Sequence, residues 1–391
     1  MHVITTTSEL ADVCERLAKH PFATVDTEFH REKTYWPQLC LIQVAGPETE
    51  ALIDPLVKGI DLSHFFALMT NTSVEKVFHA ARQDVEIIHH LGGVIPEPLF
   101  DTQVAAMVCG FGENVGYANL VKQVTQATVD KGARYTDWTR RPLSDDQQAY
   151  ALADVTHLRD IYAHLNAELE TTGRRDWLIE EMATLTDPGT YLIEPEQAWK
   201  RAKPRVRTQR AMAVFMELAA WRERLAQNTD KPRGHILKDE ALSDIATQQP
   251  RNLNKLGNMR SINSSFQRSN SALEVIDAIE RGLERSLDDV PVPKVGSALS
   301  AADAATVELL KVLLKATAAA HRVAPKMLAD AADLELIATH ARADVPALKG
   351  WRRTIFGDLA LQLKDGKVAL ALADGEIKVI ATETTSGHGE A

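Results

Sequence analysis

Cysteine is scarce in this chain. There are three, Cys14, Cys40 and Cys109, far apart and without a CxxC pair. That spacing argues against a disulfide framework or a zinc–thiolate centre and predicts a reducing cytoplasm as the location. No apolar run approaches the ~20 residues that a membrane span needs, so no membrane partner is expected. The opening stretch MHVITTTSEL lacks the basic start and apolar core of a secretory signal. Positive charge is also short: 44 Lys and Arg face 54 Asp and Glu, a net charge of −10. Taken over the whole chain, that balance argues against a polyanionic partner.

The distribution of charge reverses the last inference. Residues 1–197 carry 15 basic and 30 acidic side chains, residues 198–286 carry 17 and 10, and residues 287–391 carry 12 and 14. An acidic first half followed by a basic block predicts different tasks for different parts. With 391 residues the chain is long enough for two or three domains.

The first ~170 residues mix strand-like and helix-like segments. Ala23 to Phe29 and Gln38 to Ala45 read as strands, and Lys76 to His79 is a short apolar run. Helical patterns cover Ala81–Leu91, Thr102–Cys109 and Tyr117–Thr125, and a long helix starts at Ser144. Ser144 followed by Gln147 is a capping-box pattern, with Asp145 and Asp146 in the first turn where the helix dipole favours anions. After Gly173 strand signals largely vanish. Tyr191 to Pro204 reads as a connector, helical periodicity resumes at Thr208, and Pro291 to Gly296 reads as a second linker. The segments Leu237–Thr247 and Leu328–Thr339 align with one inserted residue, which suggests a duplicated helical module.

Three short patterns carry chemistry. Asp26 and Glu28 stand at i and i+2 in an apolar strand, so period two puts both carboxylates on one face, where they repel unless a cation lies between them. Asp84, in the run from His79, falls near the start of a helix that follows a strand. Tyr150 and Asp154 stand at i and i+4 on the long helix, one turn apart on one face. Each alone is ordinary: an acidic strand edge, a helix-start aspartate, a half-buried tyrosine beside a surface acid.

In this order and with these gaps, the patterns resemble the DEDD family of 3′→5′ exonucleases, in the branch with tyrosine in its last motif. The surrounding residues, Asp26 to Arg31, Thr34 to Leu39, Leu41 to Gln43 and Thr136 to Leu143, are similar to the ribonuclease D branch of that family. The helical remainder resembles the HRDC domain, best in Gly234 to Asp239 with Leu242, Ile245 and Ala246. The resemblance implies an α/β ribonuclease H-like exonuclease domain over residues 1–172 and a linker over 173–207. Two all-α HRDC-like domains would follow, over 208–289 and, more divergent, 298–380, with a disordered tail over 381–391.

The resemblance also implies a divalent-metal-dependent 3′→5′ exoribonuclease. It would trim tRNA precursors and other small structured RNAs and release nucleoside 5′-monophosphates. Phosphodiester hydrolysis needs an activated water and a stabilised leaving oxygen, which two divalent ions can supply. Oxygen-only ligands suit Mg²⁺ or Mn²⁺. Asp26, Glu28 and Asp154 would bind one ion, Asp26 would bridge to a second, and Asp84 would support it through water. Tyr150 would orient the attacking water. The backbone at Thr27 and the ring of Phe29 would meet the terminal nucleotide. Lys200, Arg201, Lys203, Arg205 and Arg207, with Arg210, could hold RNA by its phosphates. A DNA exonuclease of the same superfamily and a non-catalytic RNA-binding adaptor remain as alternatives.

Overall fold

A computed structural model describes residues 2–130, 132–133, 135–293 and 299–382. Gly296 of the second linker, the first residue of the expected second helical domain and most of the expected tail lie outside the described residues.

The N-terminal unit is built on a six-stranded mixed sheet. Its strands are β1 (Val3–Ile4), β2 (Phe22–His30), β3 (Gln38–Ala45), β4 (Glu50–Ile53), β5 (Glu75–Phe78) and β6 (Leu99–Asp101). Their spatial order is β1-β4-β3-β2-β5-β6. β2 runs antiparallel to β3 and parallel to β5, which puts the strand carrying Asp26 and Glu28 near the centre. Its register sets Asp26 opposite Gln43 and Glu28 opposite Leu41, with an irregularity between Glu28 and Phe29. Ala23, Thr24 and Val25 are fully buried, as a central strand with both faces covered requires.

Seven helices cover the sheet: α1 (Thr7–Leu17), α2 (Ser63–Thr70), α3 (Arg82–Gly92), α4 (Thr102–Val108), α5 (Tyr117–Thr125), α6 (Asp145–Thr172) and α7 (Arg175–Thr186). Ser144 caps α6 in a reciprocal box with Gln147, and Gly173 in the left-handed conformation (φ 66°) ends it. The short strands β1, β4 and β6, and helices α1 and α2, are not among the elements expected from the sequence.

The stretch 173–207, expected as a linker, is mostly structured. α7 occupies its first third because Leu178 and Met182 are buried against the core of the N-terminal unit. Residues Pro195–Lys200 form a 3₁₀ turn. Beyond it, Ala202 and Val206 are buried in the next unit's core.

That next unit is helical: α8 (Gln209–Thr229), α9 (Arg233–Ile236), α10 (Asp239–Gln248), α11 (Leu253–Gly257), α12 (Ser264–Gln267) and α13 (Asn270–Glu284). Its buried apolar side chains, Ala202 to Val290, form a core of their own. A second helical unit follows, with α14 (Ala301–His321), α15 (Pro325–Leu328), α16 (Ala331–Thr339), α17 (Gly350–Arg352) and α18 (Asp358–Lys364). The two begin alike. In each a 21-residue helix ends on a left-handed residue, Asp230 (φ 48°) or Arg322 (φ 49°), and a four-residue helix and a shorter amphipathic helix follow. They then diverge. The second unit is not all-α: it ends in a hairpin of β7 (Val368–Ala373) and β8 (Glu376–Ala381). Ala381, expected as the start of the tail, pairs with Val368.

Among the described residues the second unit has no separate core. Val307, Leu310, Leu313, Ile337 and Phe356 belong to one continuous cluster with Leu165, Leu169, Leu178 and Met182 of the N-terminal unit. The seam is tight. Ala324 N–H donates to the Met107 carbonyl at 3.0 Å, and Trp177 stacks on Trp351 at 4.5 Å. Arg352 pairs with Glu181 at 2.6 Å. Gly110 sits there with φ +86°, and a Cβ on it would lie 2.4 Å from the Arg322 carbonyl oxygen, so only glycine fits.

Candidate active site

Asp26, Glu28 and Asp154 converge. Each offers a carboxylate oxygen, and the three atoms lie within 4.8 Å of one another. β2 supplies the first two on one face, as the period of a strand dictates. The third comes from α6, and two side chains hold that helix to the sheet. Thr24, two residues before Asp26 on the same face, donates its hydroxyl to the Val155 carbonyl at 2.9 Å. Tyr117 donates its hydroxyl to the Asp154 and Ala153 carbonyls at 2.7 and 3.0 Å. Both contacts grip the backbone beside Asp154. The sequence reading missed both residues. Thr24 shares the face of Asp26 and could have been found by that argument, but nothing local marks Tyr117.

The three carboxylates oppose one another electrostatically. Burial, then the negative charge of Asp154, holds the Asp26 carboxyl well above the usual carboxylate range, and a backbone hydrogen bond at Thr27 pulls the other way. Tyr150 lies one turn before Asp154. Burial, then the charges of Asp154, Glu28 and Asp26, pushes its phenol up, and its hydrogen bond to Asp154 adds to the effect. The phenol therefore stays protonated across the neutral range.

Asp84 stands outside this trio. It is buried near the start of α3 and accepts the Thr27 hydroxyl at 2.5 Å. Burial first, then Asp26, raises its carboxyl well above the ordinary value, and the Thr27 hydrogen bond opposes them. Thr27 thus spends its side chain on Asp84, and the role expected of it at the terminal nucleotide falls to its backbone alone. The turn that aims α3 is strained: Ala80 has φ +60°, which a residue with a Cβ rarely adopts. Asp101 holds it by accepting the N–H groups of Ala80 and Ala81 at 3.0 and 2.8 Å, while also capping α4.

A cleft of about 450 Å³ opens over the trio. Asp26, Thr27, Glu28, Phe29, Tyr150 and Asp154 line it, with His79, Gln103, Tyr117, Asn119 and Tyr135 on its other walls. Phe29 also packs on the core from the cleft side. His79 is placed by Thr102 at 3.0 Å, and burial lowers its imidazole pKa.

The donor set fits hard divalent cations. It is oxygen-only, its charges repel, and a cation would relieve the repulsion that raises Asp26.

The basic segment lies on the first helical unit. Lys200, Arg201, Lys203, Arg205 and Arg207 are exposed, while Ala202 and Val206 between them anchor the segment in that unit's core. The Arg205 N–H also donates to Ser243 at 3.2 Å. Arg210 does different work: it donates to the Gly282 and Arg285 carbonyls at 3.1 and 2.7 Å and closes the end of α13.

Comparison with known proteins agrees with this geometry. Residues 1–170 match the family model described as 3′-5′ exonuclease, and residues 211–279 match that of the HRDC domain. A Nitrobacter hamburgensis protein named Ribonuclease D is 52% identical over 96% of this chain and 98% of its own length. A Bartonella henselae protein of the same name is 47% identical over 96% and 93%. The crystal structure of Escherichia coli RNase D, titled as an exoribonuclease involved in structured RNA processing, is also similar. It superposes with a TM-score of 0.82 at 30% identity over 93% of this chain and 98% of that one.

Proposed function

The chain belongs to the ribonuclease D family and is a 3′→5′ exoribonuclease, and on that premise we propose that it trims the 3′ ends of tRNA precursors and other small structured RNAs in the cytoplasm, releasing nucleoside 5′-monophosphates. The observation that carries the reading is the carboxylate trio within 4.8 Å at the head of the cleft, with Tyr150 hydrogen-bonded to Asp154.

Asp26, Glu28 and Asp154 would hold one Mg²⁺ or Mn²⁺ ion, and Asp84 would support a second through water. Such ions supply the positive charge that lowers the pKa of a water nucleophile and stabilises the leaving oxygen. Tyr150 keeps its proton. It therefore acts by hydrogen bonding, orienting the attacking water from Asp154 rather than removing a proton itself. Phe29 and the Thr27 backbone lie beside the trio, where the terminal nucleotide would sit. The exposed cations Lys200 to Arg207 would hold RNA phosphates outside the acidic cleft.

The test incubates the protein with 3′-extended tRNA and with DNA of matched sequence, in Mg²⁺ or in EDTA, and follows product lengths. Stepwise shortening of the RNA from its 3′ end, absent in EDTA and much weaker on DNA, is expected. Equal trimming of DNA would replace the substrate assignment, and activity in EDTA would remove the metal assignment.

A further inference from the structure

The loop between β2 and β3, residues 31–37, starts three residues after Glu28. On one side it is tied to α3, the helix that carries Asp84. Arg31 makes a two-pronged pair with Glu86, both contacts at 2.9 Å. Trp36 stacks on His90 with ring centroids 4.0 Å apart and planes within 5°. On its other side the loop is tied to the first helical unit. The backbone N–H groups of Tyr35 and Trp36 both donate to one carboxylate oxygen of Asp230, at 3.0 and 2.9 Å. Tyr35 is buried, and its hydroxyl donates to Glu223, which is 1% exposed. Arg233 clasps the same Glu223 carboxylate through two nitrogens and lies over the Tyr35 ring at 5.0 Å.

The electrostatics fit a permanent join. Burial, then Glu223, pushes the Tyr35 phenol up to about 12, so it remains a donor. Hydrogen bonds from Arg233 and Tyr35 outweigh burial at Glu223 and keep it charged. Truncating one partner of such a buried, charged cluster strands the others without compensation.

We propose that Asp230, Glu223 and Arg233 of the first helical unit are positioning residues for the nuclease: by clamping the 31–37 loop against α3 they fix the end of the strand bearing Glu28 relative to the helix bearing Asp84. The helical unit then contributes to turnover on every substrate, including an RNA too short to reach its basic face. The inference rests on the active-site reading above. Displacing catalytic groups by about 1 Å can cost ~10²-fold in rate, which bounds the effect expected from loosening the clamp.

The experiment measures kcat and KM of the full chain on a 5′-labelled RNA pentanucleotide, with thermal melting of each variant alongside. Asp230→Ala and Glu223→Gln are expected to lower kcat about 10- to 100-fold with KM nearly unchanged. Asp230→Asn keeps an acceptor oxygen for the two N–H groups and should restore most of the loss. Tyr35→Phe removes one hydroxyl from the clamp and should fall between. Full kcat in Asp230→Ala at unchanged melting temperature overturns the proposal. A loss confined to KM overturns it too, since the unit would then act only by binding RNA. Equal loss in Asp230→Asn and Asp230→Ala would also count against it. Asp26→Asn serves as the reference: if it too retains full activity, the active-site reading has failed instead.

Discussion

The two helical units begin with the same succession of helices, yet they attach to the nuclease in opposite ways. The second shares its apolar core, with Leu313 and Phe356 in one cluster with Leu165 and Leu169. The first keeps a closed core from Ala202 to Val290 and meets the nuclease through a polar cluster around Glu223. A shared core cannot open without exposing apolar surface from both partners, so nuclease and second unit form one stability unit. A polar join between two closed cores can be altered residue by residue. The duplicated module has therefore become scaffold in one copy and accessory in the other.

The largest effect tests whether the reacting groups lie in the fused body and RNA capture lies outside it. Asp26→Asn or Asp154→Asn should abolish hydrolysis while leaving tRNA affinity nearly intact, measured by filter binding. Weakened tRNA binding in either variant would mean that the cleft, and not the first unit, captures RNA. Tyr150→Phe should lower kcat by ~10²–10⁴-fold. The same site carries a pH signature. Asp26 and Asp84 have carboxyl pKa values raised by folding, so their contribution to stability is whole below the unfolded value near ~3.9 and is lost as pH rises through the folded values. Without divalent ion, the fold should lose stability at these groups between acidic and neutral pH. Asp26→Asn should flatten that loss, and Mg²⁺ should reduce it. A melting-temperature profile against pH that is identical in wild type and Asp26→Asn would contradict the raised pKa that burial, then Asp154, gives Asp26.

The next effect addresses the two joins directly. Leu313→Ala and Leu242→Ala each remove a fully buried side chain, one from the shared core and one from the closed core. Both should cost about 2–5 kcal/mol locally. Hydrogen exchange at the β2 and β3 amides should accelerate in Leu313→Ala and stay near wild type in Leu242→Ala. Equal acceleration in both would erase the distinction between scaffold and accessory. By the same reasoning, a chain ending at Gly173 should not yield a stable nuclease, because α7 and the second unit's share of the core are gone.

The smallest effect concerns the accessory face. Replacing Arg201, Lys203, Arg205 and Arg207 with Gln should weaken tRNA binding. The slope of log affinity against log salt should flatten by up to about 0.9 for each phosphate no longer neutralised. Cleavage of a pentanucleotide should change little. An unchanged slope would assign RNA capture elsewhere.

The legible parts of the sequence were those with local signals. The Asp26–Glu28 face, the capped start of α6 and the Tyr150–Asp154 spacing are short-range patterns, and the structure brings Asp26, Glu28 and Asp154 together. Asp84 was found, but not its engagement with Thr27, which depends on how β2 meets α3. Tyr117 was invisible because it acts on carbonyl groups distant in sequence, whereas Thr24 was within reach through the strand face it shares with Asp26. The stretch after Gly173 was misread for a related reason. α7 has apolar residues suited to packing, but the surface they cover belongs partly to residues beyond 300. The end of that stretch reads as a linker because the two small anchors, Ala202 and Val206, carry little weight in a hydrophobic pattern.

The shared core has a consequence for the order in which the protein is made. A ribosome releases the strands of the sheet and the carboxylate residues first, but Leu310, Ile337 and Phe356, which complete the apolar cluster, emerge only near the end. The first helical unit, whose core is closed within residues 202–290, can finish folding in the interval. The nuclease is thus expected to become fully packed, and competent to cut, only after almost the whole chain has left the exit tunnel. A chain stalled before residue 300 would carry an assembled RNA-binding surface beside an unfinished cutting edge.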